Sequence, residues 1–349
     1  MKTKIVRMAE GYIDSALVRE AGDILRAGGL VAFPTETVYG LGGDALNPLA
    51  SEKIYAAKGR PSDNPLIIHI ADMSGLPLIV REIPENAYRL AERFWPGPLT
   101  MILYKSERVP YETTGGLDTV AVRMPGNPVA RELIRAAGGY VAAPSANRSG
   151  RPSPTVAKYV VEDLEGRVEM IIDGGDVEIG LESTIVDLTS DKPMILRPGY
   201  ITRQKLEEVL WEVEEDGTLM RDGTGQAPKA PGMKYRHYAP KGDLTIVMGT
   251  EEKVVAYINE QCAGHEKEHK KTGVICTDST AGQYCVDVCR NAGCRSDEET
   301  IARELFRILR EFDDEEVEVI YAEAFEDSGI GRAVMNRLLK AAGHKIISV

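Results

Sequence analysis

At 349 residues the chain is longer than one hydrophobic core ordinarily fills, so two domains are expected. Its 42 Lys and Arg against 54 Asp and Glu give a net charge of −12, which opposes a general nucleic-acid or anionic-membrane surface but allows a local basic pocket for a small anion. No run of about eighteen apolar residues occurs, and the charged start Met1-Lys2-Thr3-Lys4 is not a signal peptide, so a cytoplasmic protein is expected.

Asp14 reads as the N-cap of a helix running to Arg26, with Gly28-Gly29 as its stop. Residues 30–33 then read as a buried strand ending at Pro34, and a Thr35-Glu36-Thr37 loop follows. The cluster Gly40-Leu41-Gly42-Gly43 lacks the spacing of a dinucleotide fingerprint and is expected to form a tight turn after Tyr39. Asn47-Pro48 has the cap-then-proline pattern, predicting a helix over 48–58 with Leu49, Ile54 and Ala57 inward and Gly59 beyond its end. Lys58 and Arg60 therefore flank a helix stop.

Strands are expected at 66–70, 99–104 and 119–124, with two short helices before Trp95-Pro96-Gly97-Pro98. Asn127-Pro128 starts another helix, and residues 140–143 form a strand feeding a serine-rich loop. Ser153-Pro154 is expected to cap a helix to about residue 164, and strands near 168–172, 183–188 and 193–197 and a helix from 202 to 211 complete the unit. Such alternation implies an open twisted α/β sheet.

Residues 214–242 are rich in Gly, Pro and charge and read as a linker. Beyond it, strands at 244–248, 274–277, 317–321 and 345–349 alternate with helices at 250–260, 297–311 and 331–342, the rhythm of a small parallel, Rossmann-like domain. Residues 262–271 are polar enough for a mobile loop. The expected organisation is a catalytic domain at 1–212, a linker at 213–242 that covers the active site, and a C-terminal domain at 243–349. The five cysteines, Cys262, Cys276, Cys285, Cys289 and Cys294, match neither zinc nor iron–sulfur spacing, even with His265 and His269 upstream, and are expected to be free thiols.

Two proline-fixed polar loops stand out. Lys58-Gly59-Arg60-Pro61 through Asn64-Pro65 carries two cations and an amide, with His69 on the adjoining strand. Ser145-Ala146-Asn147 through Ser153-Pro154 carries hydroxyls and a second amide. Each set taken alone is ordinary surface polarity; together they suit phosphate oxygens. Thr119 and Arg123 share one face of a strand, because positions four apart point the same way, and a buried Arg123 would require an anion such as a carboxylate. The same holds for Ser183-Thr184 and for Arg197. A Ser-His-Asp hydrolase would need a G-x-S-x-G elbow, and a P-loop a Walker sequence; the chain has neither.

The segments Pro34-Thr35-Glu36-Thr37-Val38-Tyr39-Gly40-Leu41, Lys58-Gly59-Arg60-Pro61 with Asn64-Pro65-Leu66, Ser145-Ala146-Asn147 with Ser149-Gly150, and Ser183-Thr184-Ile185-Val186-Asp187 together resemble the YrdC-like threonylcarbamoyl-AMP synthases. Residues 231–240, Pro-Gly-Met-Lys-Tyr-Arg-His-Tyr-Ala-Pro, look like the connector of the longer two-domain members. The resemblance implies a YrdC-like twisted α/β domain plus a smaller Rossmann-like one. It also implies a reaction in which L-threonine, bicarbonate and ATP give threonylcarbamoyl-adenylate and pyrophosphate, for threonylcarbamoyladenosine at position 37 of tRNA.

By the same resemblance, Lys58, Arg60, Ser145 and Asn147 would be catalytic, and Arg60, Asn64, Thr119, Ser145, Ser153, Arg197 and Tyr238 would hold ATP. Thr37, His69, Arg123, the backbone at Ala143, and Ser183 would hold threonine, and Tyr235 or Tyr238 would act as a lid. Mg2+ is expected to come with ATP and to be held by phosphates and water without protein ligands, and a downstream tRNA threonylcarbamoyl transferase machinery is the expected partner. Two rivals are a carbamoyl-transfer step like that of hydrogenase maturation proteins, whose Cys-x-x-Cys pairs are missing here, and a double-stranded-RNA binding module, which would show steeply salt-dependent affinity. Tight tRNA binding and membrane association are not expected.

Overall fold

The computed structural model describes residues 1–8, 12–217, 219 and 237–349. These fall into two units, one holding residues up to Ser149 and from Ser153 to Leu219, the other holding Gly150–Pro152 and residues from 237 to the end. Tyr235 and most of the expected linker lie outside the described residues.

In the first unit, eleven strands among the described residues join in one mixed sheet. They are β1 (Lys4–Arg7), β2 (Val31–Phe33), β3 (Gly40–Asp44), β4 (Ile67–Ile70), β5 (Leu99–Tyr104), β6 (Thr119–Arg123), β7 (Tyr140–Ala142), β8 (Met170–Asp173), β9 (Thr184–Asp187), β10 (Met194–Arg197) and β11 (Glu214–Glu215). The order across the sheet is β1-β8-β2-β3-β7-β4-β6-β5-β9-β10-β11, with parallel pairs such as β4–β6 beside antiparallel ones such as β5–β6. This is the open α/β architecture that the alternating pattern implied.

The helix Ser15–Arg26 starts where the Asp14 carboxylate accepts from the Ala16 and Leu17 amides. Its Val18, Ala21 and Leu25 pack with Ala130, Leu133 and Ile134 of the helix Pro128–Ala136 over Val31, Phe33, Val141, Met170 and Ile172 of the sheet. Each larger aliphatic side chain buried there is worth about 1.5–3 kcal/mol, which anchors the strands whose far ends carry the polar loops.

Four expectations are corrected. The glycines at 40–43 form strand β3, because a Cβ on Gly42 would come within 2.8 Å of Val141 Cγ1 and 2.9 Å of Phe33 Cε1; they permit close strand packing where a turn was expected. Leu49 is 63% exposed, since Ala50, Ile54 and Ala57 make the inward face of the helix Pro48–Lys58 and Leu49 lies one position off it. Ser153 caps no helix: the helix Ala157–Leu164 begins four residues later with Val156 as its N-cap residue. Residues 262–267 end the long helix Glu251–Lys267, with Cys262 facing inward, and are no mobile loop. β1, β3, β11, the short helix Tyr111–Thr114 and, in the second unit, the strand Val288–Asn291 were not expected.

The second unit is a five-stranded sheet of β12 (Asp243–Met248), β13 (Thr272–Cys276), β14 (Val288–Asn291), β15 (Val319–Glu323) and β16 (Ile346–Ser348), ordered β14-β13-β15-β12-β16. Every neighbouring pair is parallel, and the helices Glu251–Lys267, Glu298–Asp314 and Gly331–Ala341 make the crossovers. That is the Rossmann-like arrangement expected. Tyr238 is buried in this unit against Phe306, ring centroids 5.0 Å apart. All five cysteines are free thiols. No helix among the described residues is long and apolar enough to cross a membrane.

Candidate active site

The two polar loops of the sequence meet through one side chain. Lys58 ends the helix Pro48–Lys58, and Gly59 turns the chain with φ 62°. Nothing lies within 4 Å of where a Cβ on Gly59 would stand, so it is the left-handed dihedral, not crowding, that favours glycine there. The turn sends Lys58 and Arg60 in different directions. Lys58 is 3% exposed, and its ammonium donates to the Ser145 and Asn147 carbonyl oxygens. Ser145 Oγ donates to Asn147 Oδ1 at 2.5 Å, and the backbone is fixed by a bridge between Gly40 and Ser145 and by Ala146 N to Tyr39 O at 2.7 Å. Arg60, half-buried, folds back onto its own loop, with Nη2 donating to Asn64 O at 3.3 Å and Pro65 O at 3.1 Å. Asn64 is buried, and its side-chain oxygen has no hydrogen-bond partner among the described residues, which leaves an acceptor for a ligand donor.

Strand register builds the second cluster. His69 on β4 and Thr100 on β5 both stand opposite Arg123 on β6, so the three side chains share one face of the sheet. Arg123 is 4% exposed; Nη1 donates to Thr37 Oγ1 at 2.9 Å, and Nη2 lies 2.7 Å from Glu36 Oε1. Thr100 Oγ1 and Ser183 Oγ are 2.7 Å apart, and Arg197, also on this side by its register with Ile185, donates from Nη2 to Ser183 Oγ at 3.1 Å. Burial, reinforced by the Arg123 charge, pushes the His69 imidazole down to about 3, so it is neutral at physiological pH. Its Nδ1 is 3.1 Å from Ile67 O.

The residues expected from the sequence thus fall into two groups in the first unit. Lys58, Arg60, Asn64, Ser145 and Asn147 gather around the first loop pair, while Thr37, His69, Arg123, Ser183 and Arg197 gather on the sheet face. Ala143 joins them through its amide, which donates to Ile67 O at 2.9 Å. Thr119 sits four residues from Arg123 at the other end of β6, about 13 Å away. Ser153 Oγ donates to Glu182 Oε1 at 2.6 Å. On the same face, between the ends of β6, Ile67, Ala121, Ile102, Ile185 and Leu196 form a buried apolar cluster. Tyr238 belongs to the second unit.

Three residues were missed as site candidates. Glu36 was visible only as an acidic residue in a loop directly after a buried strand. Thr100 was the one aliphatic hydroxyl in the apolar strand Leu99–Tyr104, and Glu182 immediately preceded the Ser183-Thr184 motif.

The mixed α/β sheet thus carries a lysine-bridged pair of polar loops and, beside them, a row of buried arginine, hydroxyl and neutral imidazole groups. Residues 23–199 match the family model described as telomere recombination, and residues 201–343 match that described as threonylcarbamoyl-AMP synthase, C-terminal domain. Over 347 residues the chain is 51% identical to the threonylcarbamoyl-AMP synthase of Pyrococcus abyssi, covering 99% of this chain and 100% of that one. Identity to the Bacillus subtilis threonylcarbamoyl-AMP synthase is 47% over 331 residues, covering 95% and 94%. The crystal structure of P. abyssi Sua5 complexed with L-threonine matches with a TM-score of 0.93 and 49% identity over the full length of both chains. The chain belongs to the threonylcarbamoyl-AMP synthase family.

Proposed function

We propose that this chain makes L-threonylcarbamoyl-adenylate and pyrophosphate from L-threonine, bicarbonate and ATP, the product serving threonylcarbamoyladenosine formation at position 37 of tRNA. The observation that carries this reading is the buried Arg123 in register with His69 and Thr100, next to Ser183, on the sheet face that also bears Arg197. An amino acid is held there by its carboxylate on Arg123, with Thr37, His69, Ser183 and the backbone at Ala143 around its remaining groups. Lys58, Arg60, Asn64, Ser145 and Asn147 take the phosphates, and Thr119, Ser153 and Arg197 complete the ATP site.

The threonine nitrogen bonds to the carbon of bicarbonate with loss of water, giving a carbamate. A carbamate oxygen then bonds to the α-phosphorus of ATP as the bond from that phosphorus to the bridging oxygen breaks, and the electron pair leaves on pyrophosphate. Two anions must be brought together, so fixed cations do most of the work: Lys58 and Arg60 offset the charge of the phosphates and carbamate, while the Ser145 and Asn147 side chains hold the attacking group in line. Mg2+ arriving with ATP would supply further charge neutralisation on the phosphates, held by these and by water.

Pyrophosphate release should require L-threonine and bicarbonate together with ATP, and should fall to the uncatalysed background when either is omitted. A release rate indifferent to threonine would refute this reading.

A further inference from the structure

The Glu36–Arg123 pair is incomplete as it stands. Both residues are more than nine-tenths buried, and Arg123 Nη2 lies 2.7 Å from Glu36 Oε1 as an ion pair. Among the described residues no hydrogen bond of good geometry reaches either Glu36 carboxylate oxygen or Arg123 Nη2, although the Gly126 backbone lies against the carboxylate. A buried ion pair whose remaining hydrogen-bonding capacity is unused costs free energy that a ligand can recover. A buried carboxylate with acceptor capacity to spare beside a guanidinium is the mirror of an α-amino acid zwitterion, whose ammonium suits the first and whose carboxylate the second.

We propose that Glu36 receives the ammonium group of L-threonine and takes its proton as the carbamate forms. This rests on the reading of Arg123 as the carboxylate site. Threonine enters the site as an ammonium, which has no lone pair, so a base must act before the nitrogen can attack. Glu36 is the carboxylate in contact with Arg123 on this side of the sheet.

The step balances. One N–H bond of the ammonium breaks, its proton goes to a Glu36 carboxylate oxygen, and the pair left on nitrogen forms the bond to the bicarbonate carbon. The bicarbonate hydroxyl leaves as water with a second proton from nitrogen, giving the carbamate and a neutral Glu36.

The partner geometry also turns the base on at the right time. Without substrate, burial is the largest influence on the Glu36 carboxyl and raises it, but the Arg123 charge and side chain together with the Gly126 backbone hold it below its ordinary value, making it a poor base. When the substrate carboxylate shares Arg123, that stabilisation is divided and a like charge stands nearby. Both effects raise the proton affinity of Glu36 once threonine is bound.

The test compares two ligands on the full-length protein by calorimetry: L-threonine, and the hydroxy acid in which a hydroxyl replaces its ammonium group. Wild type should prefer L-threonine. Glu36→Gln should weaken L-threonine binding about 10- to 100-fold, the worth of one charge-assisted bond, while changing hydroxy-acid affinity less than about 2-fold. Glu36→Asp, which keeps the charge, should restore most of the preference for threonine if Gln proves poorly folded. Equal weakening of both ligands, or an Asp variant as indifferent to the ammonium as Gln, would overturn the role of Glu36 and leave only support of Arg123. A wild type that binds neither ligand would instead bring down the threonine reading on which the proposal rests.

Discussion

Arg123→Ala is expected to raise the KM for L-threonine about 100-fold or more while changing the KM for ATP by less than about 3-fold, because a paired carboxylate loses charge-assisted bonds each worth about 1.5–3 kcal/mol. The substitution has a second cost. It leaves the Glu36 carboxylate, 8% exposed in its side chain, without its counter-ion, and breaking a buried pair from one side costs about 3–5 kcal/mol. Thermal unfolding should register that loss at neutral pH. The folded Glu36 carboxyl lies below its ordinary value of 4.5 in the wild type, so its contribution to stability is present above about pH 4.5 and disappears as pH falls through the lower folded value. The stability gap between wild type and Arg123→Ala should therefore narrow in acid. An equal rise in both KM values would mean that Arg123 serves the fold of the site as a whole and not the threonine carboxylate.

Lys58→Ala should lower the rate of threonine-dependent pyrophosphate release by about a thousandfold, the scale seen when one preorganised charge stabiliser is removed from a reacting centre. Its ammonium is the tie between the Ser145 and Asn147 carbonyl oxygens and the helix Pro48–Lys58. Without it, two carbonyl oxygens lose a buried donor, at about 1–3 kcal/mol of stability, and Ser145 and Asn147 lose their fixed relation to the cation. Arg60, bound to its own loop through Asn64 O and Pro65 O, remains in place. A Lys58→Ala enzyme that turned over within about 3-fold of wild type would exclude the loop-bridging cation from the chemistry.

The sequence revealed the loops better than the contacts between them. Lys58 and Arg60 were legible because Asn47-Pro48 and Gly59 fix where their helix begins and ends, and such punctuation is local. Arg123 stood out because a charge in an apolar strand demands a partner. What that partner is depends on register and loop closure across 86 positions of chain, as between Arg123 and Thr37, so Glu36 could not be found by spacing. β3 was hidden by its own composition: glycine reads locally as a turn, and only the closeness of Val141 and Phe33 shows why side chains are excluded. Ser153 carried the form of a cap while its hydroxyl is engaged by Glu182. In the second unit, the helical and strand rhythm was enough for a parallel sheet, but short polar β14 had too weak an apolar pattern to register.

The reaction product is the most direct test of the proposed activity. Incubation of the protein with ATP, carbon-labelled bicarbonate and nitrogen-labelled L-threonine should give, by mass spectrometry, one adenylate carrying both labels, formed with pyrophosphate and only when all three substrates are present. An adenylate carrying threonine without the bicarbonate carbon, or pyrophosphate release with no labelled adenylate, would contradict it.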